Sequence, residues 1–599
     1  MRKIQTKFLI FIFAFCVLFF KAALAFENKI ALYREAKYED GFSHFAYVNP
    51  NAKKGGRIVV PEYGGFDNFN PYIFKGTASS TAADLIWDSL GFTPSDDISV
   101  AYPLIAKKFE LGENYVGFIL NEKATFADGS PILADDVIFS FNTLLEKGAP
   151  IYRVYYADVA KAEKIAERHV RFYFKEGSQN KELPLILTQF KIFPKKDWEG
   201  RDFAKPSLQI PLGGGPYKIK TFKAGKYIVL ERDKNYWAKD LPVRKGFFNF
   251  DEIRLDYYQD TTVTLQALFS GNIDVREEYI AKIWATGYDN DLVKSGKVIK
   301  KAFEHQNPAV LQHFAINLRR GKFKDKRVRR ALDLAFNFEW ANEKLFYGAY
   351  RRLYSYFTNT GMEATGLPVG KEKEILENYK PLLDADVFEK PFTLPDNSSK
   401  EKVRQNLVAA VRLLREAGYG FEDGQMVNLK TKEPLTIEIL SNSANGTTFT
   451  RVMLPFIENL KKIGIKATFR TLEVNVFKNR IDNFDFDMAI MSYRISAMPG
   501  SELREFYSSK TANIRGSYNI MGIENKVVDD LIEKIISAQD RSDYEAYVKA
   551  LDRVLLNEYY LIFQWYSPFS RVGYQNKFEM PDSPQKVGFQ PFTWWIKEK

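Results

Sequence analysis

The residues able to do chemistry are few and scattered. Four histidines, His44, His169, His305 and His313, occur in 599 residues, and no two stand four apart, the spacing that would turn both toward one metal ion from a helix. The one cysteine, Cys16, has no second thiol for a disulfide or a metal site. No G-x-S-x-G turn offers a nucleophilic serine. Gly366 to Lys371 falls one residue short of phosphate-loop spacing, and Glu372 stands where a magnesium-holding hydroxyl is needed and repels phosphate. Gly213-Gly214-Gly215-Pro216 lacks the third glycine of a dinucleotide fingerprint and reads as a tight turn entering a strand. Acidic residues number 75, but a sequence brings no two of them to the roughly 5–9 Å separation at which a glycosidase works. With no reactive centre, metal site or cofactor motif, the chain reads as a binder that performs no catalysis.

Export is written at the start. A basic stretch, Met1 to Lys7, precedes an apolar run from Phe8 to Phe20, and small residues at Ala22, Ala23 and Ala25 set a cut before Phe26. That run is shorter than the ~20 residues of a permanent transmembrane helix. Cys16 lies inside it, so the mature chain has no thiol and depends on packing alone. Lys plus Arg number 86 against 75 Asp plus Glu, and four of those bases, Arg2, Lys3, Lys7 and Lys21, belong to the leader. The remaining charges are interspersed, without the concentrated basic stripe that a nucleic-acid partner requires.

With 45% hydrophobic residues the chain has ample material for a large core of several domains or lobes. Strand and helix signals alternate. Arg57–Pro61 and Tyr115–Asn121 read as strands. Ala134–Lys147 reads as a helix with Asp135 and Asp136 in its first turn and Gly148 as its stop. Asp325 caps a helix expected from Lys326 to Tyr347, and Ser398 with Glu401 forms a capping box for a helix reaching Ala417. A strand at Leu435–Leu440, a helix at Thr447–Ile463 and a strand at Ile465–Arg470 spell a parallel unit. The proline-bearing stretch Asn359–Ser399 reads as a long surface connection.

The run Ala124-Thr-Phe-Ala-Asp-Gly-Ser-Pro-Ile-Leu-Ala-Asp-Asp-Val-Ile-Phe-Ser-Phe141 resembles the signature of the family 5, peptide-type extracellular solute-binding proteins of ABC importers. Gly65 to Pro71, Pro211 to Tyr217, Glu231 to Trp237 and Phe323 to Leu332 follow the family's order around it, so the resemblance spans nearly all of the mature chain. Ala31 to Tyr38, His44 to Gly56 and Asn317 to Arg320 are similar to the YejA-type branch of that family. The resemblance implies a two-lobed α/β fold, class II and cluster C, closing on its ligand by hinge motion. Residues 26–72, 207–305 and 567–599 would form lobe I, 73–206 a subdomain inserted in it, and 306–566 lobe II, after a signal peptide at 1–25. It also implies a periplasmic monomer that delivers peptides or peptide-like compounds to an inner-membrane permease complex; the alternatives are a secreted hydrolase with an unrecognised carboxylate site, or a family member that binds an oligosaccharide, haem or a nickel complex.

Site residues follow from the same likeness. Relatives present main chain to the ligand from the segment matching Gly65, Phe66, Asp67 and Asn68; a plain turn shaped by Asn68, Asn70 and Pro71 is the competing reading. Where peptide-binding relatives carry a tryptophan and, three residues on, an aspartate that pairs with the ligand's amino terminus, this chain has Tyr493 and Ser496. Glu502 or Asp67 could replace it, because a desolvated ammonium needs a carboxylate nearby; the alternative is that the ligand's amino end stays in solvent, which suits longer or modified peptides. Arg494 offers planar donors to a carboxylate or to a surface ion pair. At Leu133 relatives favour threonine, so Asp135 and Asp136 must stabilise more of the helix start.

Overall fold

Alternation of buried and exposed side chains builds two separate sets of sheets in the computed structural model, which describes residues 25–33, 35–443, 448–582 and 587–598. In the second lobe, five strands run in the order Lys466–Leu472, Thr436–Asn442, Met488–Tyr493, Leu311–Ile316, Leu561–Phe563. The first three are mutually parallel and the last two join antiparallel. One face of this sheet puts Phe314, Ile437 and Ile490 into one core, and the other puts Leu311, Leu440 and Tyr493 into a second. Successive strand residues point to opposite faces, so a sheet covered by helices on both sides needs apolar residues at both phases.

The first lobe is built on the order Tyr217–Lys223, Tyr227–Arg232, Glu252–Tyr258, Arg57–Tyr63. Its last two strands are parallel, although nearly two hundred residues separate them in sequence. A further antiparallel sheet contains Ala106–Leu111, Tyr115–Leu120, His169–Phe174 and Val159–Ala166, with Ala25–Glu27 along one edge. The export signal expected before Phe26 otherwise lies outside the described residues. Among those residues no helix is long and apolar enough to cross a membrane.

Two adjacent stretches join the lobes. Val298–Glu304 and Phe569–Gln575 pair with each other in a sheet of the first lobe, while Leu311–Ile316 and Leu561–Phe563 pair in the second. The chain therefore crosses once outward through 305–310 and once back through 564–568, and the His305 N–H donates to the Pro568 carbonyl at 3.2 Å to tie the crossings together. Two short parallel connections permit rotation about one axis and oppose other motions.

Local expectations hold where caps and glycines mark them. The helix Ala134–Lys147 starts and stops as read, and the Leu133 N–H donates to Asp136 Oδ2 at 3.0 Å, half of a capping box that survives without a hydroxyl at 133. The strand–helix–strand unit is parallel in register. The helix expected from Lys326 to Tyr347 is two, Lys326–Ala335 and Phe338–Phe346, because Asn337 accepts from the Trp340 N–H and starts a new one. The cap of Lys400–Glu416 is Ser399, one residue past the one expected. The stretch read as a loose connection contains helices at Gly370–Glu377 and Asp386–Glu389. Gly213 and Gly215 are needed for close approach: a Cβ on either would lie 2.1 Å from the Ile86 carbonyl or 2.6 Å from that of Leu85.

Candidate ligand-binding site between the lobes

A cavity of about 670 Å³ lies where the two lobes face each other above the crossings. The first lobe contributes Leu32, Tyr33, Ile98 and Ser99; the crossings contribute His305, Gln306, Tyr566 and Pro568. The second lobe contributes Arg351, the loop Asn359 to Glu363, Ala497, Met498 and Tyr544. Its size falls within the ordinary range for small-molecule sites, and its lining mixes aromatic and aliphatic faces with separate polar groups.

Direct contacts hold the lobes together around this space. Tyr33 and Met498 each pack against the apolar cores of both lobes. The Tyr33 ring stacks on Tyr544 at 4.7 Å, and its hydroxyl donates to the Ala538 carbonyl at 2.8 Å. Tyr33 adopts φ 60°, a left-handed backbone costing a bulky residue about 1–3 kcal/mol, which is tolerated only where surrounding contacts impose it. From the first lobe, Asn180 donates to Ser501 Oγ at 3.1 Å and Glu182 accepts from the Ser501 N–H at 3.0 Å. Asp158 pairs with Arg504 at 3.1 Å, and Lys478 lies 4.9 Å over the Phe74 ring.

Two buried carboxyls meet in that contact. Glu502 accepts from the Gly500 N–H at 3.0 Å, while its buried Oε1 has no hydrogen-bond partner among the described residues. Burial pushes Glu182 up to about 7; burial, reinforced by the charge of Glu182, pushes Glu502 up to about 8. The pair is therefore kept protonated in part by the closing of the lobes.

The residues singled out in the sequence fall into three groups. Phe66 is buried and packs against Phe69 and Tyr257. Asp67 and Asn68 shape a turn: Asp67 accepts from Thr77 N–H and Asn68 Nδ2, both at 2.8 Å, and buried Asn68 accepts from the Asn70 N–H. Gly65 lies against Gly225, 3.6 Å from the position a Cβ would take. On the second lobe, Tyr493 is buried, stacked on Phe506 at 4.8 Å, with its hydroxyl donating to the Tyr518 carbonyl. Ser496 is exposed and bonds the Met498 carbonyl, bracing the turn whose next residues, Ala497 and Met498, line the cavity. Arg494 is exposed, makes no ion pair among the described residues, and its charge acts on the Tyr279 phenol of the first lobe. Glu502 sits in the Glu182 contact rather than on the cavity wall.

The histidines have structural surroundings. His169 and Arg171 both bond Glu110, which is buried. His313 Nδ1 bonds the Leu311 carbonyl, and complete burial pushes the ring down to about 4, so it is neutral. His305 alone faces the cavity, lowered by burial. Sequence reasoning missed Tyr33, Tyr544, Glu182 and the loop Asn359–Glu363. Only the loop left a local sign, in Asn359 and Gly361, which both take left-handed backbone.

Residues 101–514 match the family model "Bacterial extracellular solute-binding proteins, family 5 Middle". The chain is 38% identical over 574 residues to the probable peptide-binding protein YejA of Agrobacterium fabrum, covering 94% of this chain and 92% of that one. It is 36% identical to YejA of Escherichia coli, over 94% and 92% of the two chains. The structure of the oligopeptide-binding protein AppA from Bacillus subtilis in complex with a nonapeptide superposes with a TM-score of 0.71 at 19% identity, covering 92% of this chain and all of AppA.

Proposed function

Because this chain belongs to the bacterial extracellular solute-binding proteins of family 5, we propose that it captures peptides or peptide-like compounds in the periplasm and hands them to an inner-membrane ABC permease. The observation that carries this reading is the cavity of about 670 Å³ enclosed between lobes joined by two adjacent crossings. Such a clamp grips cargo by closing and frees it by opening, and it makes or breaks no covalent bond. Main-chain contacts to an extended ligand give affinity without regard to side-chain identity, and a roomy, hydrated cavity accepts varied side chains. In this reading lobe I is 26–72, 207–305 and 567–599, its inserted subdomain is 73–206, lobe II is 306–566, and residues 1–25 are removed on export. Gly65 to Asn68 and Tyr493 to Ser496 support the cargo from their two lobes mainly by shaping the backbone beside it.

Small-angle scattering tests the closing motion. Protein freed of cargo by unfolding and refolding is expected to have a larger radius of gyration than the same protein saturated with a peptide pool. Identical curves would contradict a hinged clamp.

A further inference from the structure

Beside the interlobe seam lies a buried cation with no counter-ion among the described residues. Arg571, on the strand Phe569–Gln575 just past the return crossing, has 5% of its surface exposed, yet its Nε and Nη1 have no hydrogen-bond partner among the described residues. Of its nitrogens only Nη2 has hydrogen bonds, with the Tyr279 carbonyl at 3.4 Å and the Tyr350 hydroxyl at 3.1 Å, and the guanidinium lies 4.9 Å over the Tyr350 ring; Tyr350 comes from the second lobe and itself donates to the Tyr279 carbonyl. No carboxylate among the described residues pairs with Arg571.

One acid on the adjoining strand is already committed. The Glu278 N–H donates to the Arg571 carbonyl at 2.7 Å, but the Glu278 carboxylate makes a close, buried ion pair with Arg276. Glu277 accepts from the Tyr279 hydroxyl, and Arg494 of the second lobe acts on the same phenol. Burying a guanidinium without an anion is costly, and a planar fork with two free donors matches the geometry of a carboxylate.

We propose that Arg571 receives a carboxylate of the cargo, its C-terminus or an acidic side chain, and so makes the clamp select anionic peptides. This rests on the peptide reading above and sharpens it. A carboxylate reaching the seam would also meet the Tyr350 hydroxyl. Closure and anion binding would then be coupled, because Tyr350 approaches Arg571 only when the second lobe is in place.

The test uses the full-length mature protein and two synthetic pools of peptides four to nine residues long. One pool has free C-termini and includes Asp and Glu; the other is C-amidated and lacks both. Native mass spectrometry and melting shifts are read for wild type, Arg571→Gln and Arg571→Lys. We expect wild type to favour the carboxylate pool by about tenfold or more, Arg571→Gln to lose that preference while melting no lower than wild type without peptide, and Arg571→Lys to keep part of it. Equal capture of both pools by wild type, or an undiminished preference in Arg571→Gln, would overturn the assignment while leaving peptide binding intact. Capture of neither pool would overturn the peptide reading and the role of Arg571 with it. Should Arg571→Gln fail to fold, the comparison of pools on wild type and the lysine variant still decides the matter.

Discussion

Glu182 of the first lobe and Glu502 of the second accept from neighbouring backbone N–H groups, those of Ser501 and Gly500, each at 3.0 Å. Two acids are thus buried together by the act of closing. Arg504 draws Glu182 partly back toward ionisation, Asp158 is held by Arg504, and the phenols of Tyr155 and Tyr544 lie within reach of both acids.

Closure is therefore expected to respond to pH. With the lobes open both carboxyls return to water and an ordinary value near 4.5; closed, they rise to about 7 and about 8. The closed state holds more protons, so closing takes up protons and is favoured by acid. Affinity for an acetylated, histidine-free peptide should rise as the pH falls from 8 toward 5 and level off near 4.5. Glu502→Gln should flatten that profile, as titration calorimetry across the range would show. A wild-type affinity that climbs with pH would contradict the assignment.

Gly500 leaves no room for a side chain against its neighbour lobe. A Cβ there would stand 2.0 Å from Glu182 Oε2, so Gly500→Ala must push Glu182 off the Ser501 N–H. The expected cost to closure is about 1–3 kcal/mol, or roughly 5- to 150-fold in affinity. Thermal unfolding without peptide should be unchanged, since the clash exists only in the closed state.

Tyr33 should act as a clasp. Tyr33→Ala removes the stack on Tyr544 and the bond to the Ala538 carbonyl and relieves part of the steric strain of the bulky left-handed residue. Peptide dissociation measured by stopped flow is expected to quicken by about tenfold. A variant with wild-type dissociation would remove Tyr33 from the closing contacts.

Asp552 fixes one wall of the cavity from behind. It accepts from Ser355 Oγ, Tyr356 N–H and Ala364 N–H at 2.8–3.0 Å, bracketing the loop that carries Asn359 to Glu363. Asp552→Ala leaves three buried donors unsatisfied and should cost roughly 2–5 kcal/mol in denaturant unfolding. Asp552→Asn, which keeps one acceptor, should lose less.

Much of the architecture was legible from local chemistry. Asp325 and Gly148 set helix ends at the expected residues, and the unit around Gly464 declared its parallel strands. The break at Asn337 escaped because the apolar spacing on either side continues one helical period, and only the side-chain cap on Trp340 interrupts it. The site was less visible. Tyr33 and Tyr544 are 511 positions apart, Glu182 and Ser501 are 319 apart, and no local pattern marks residues that matter only when two lobes meet. Arg571 is hidden for the same reason: a strand arginine looks like an edge residue until its neighbours are known to have spent their carboxylates.

The most direct test of a reversible clamp is to recover its cargo. Native mass spectrometry of the refolded protein with a synthetic peptide pool should reveal one-to-one complexes, and denaturing those complexes should return each peptide at its starting mass. Protein that stays unliganded at every concentration, or peptides released as fragments, would contradict the account.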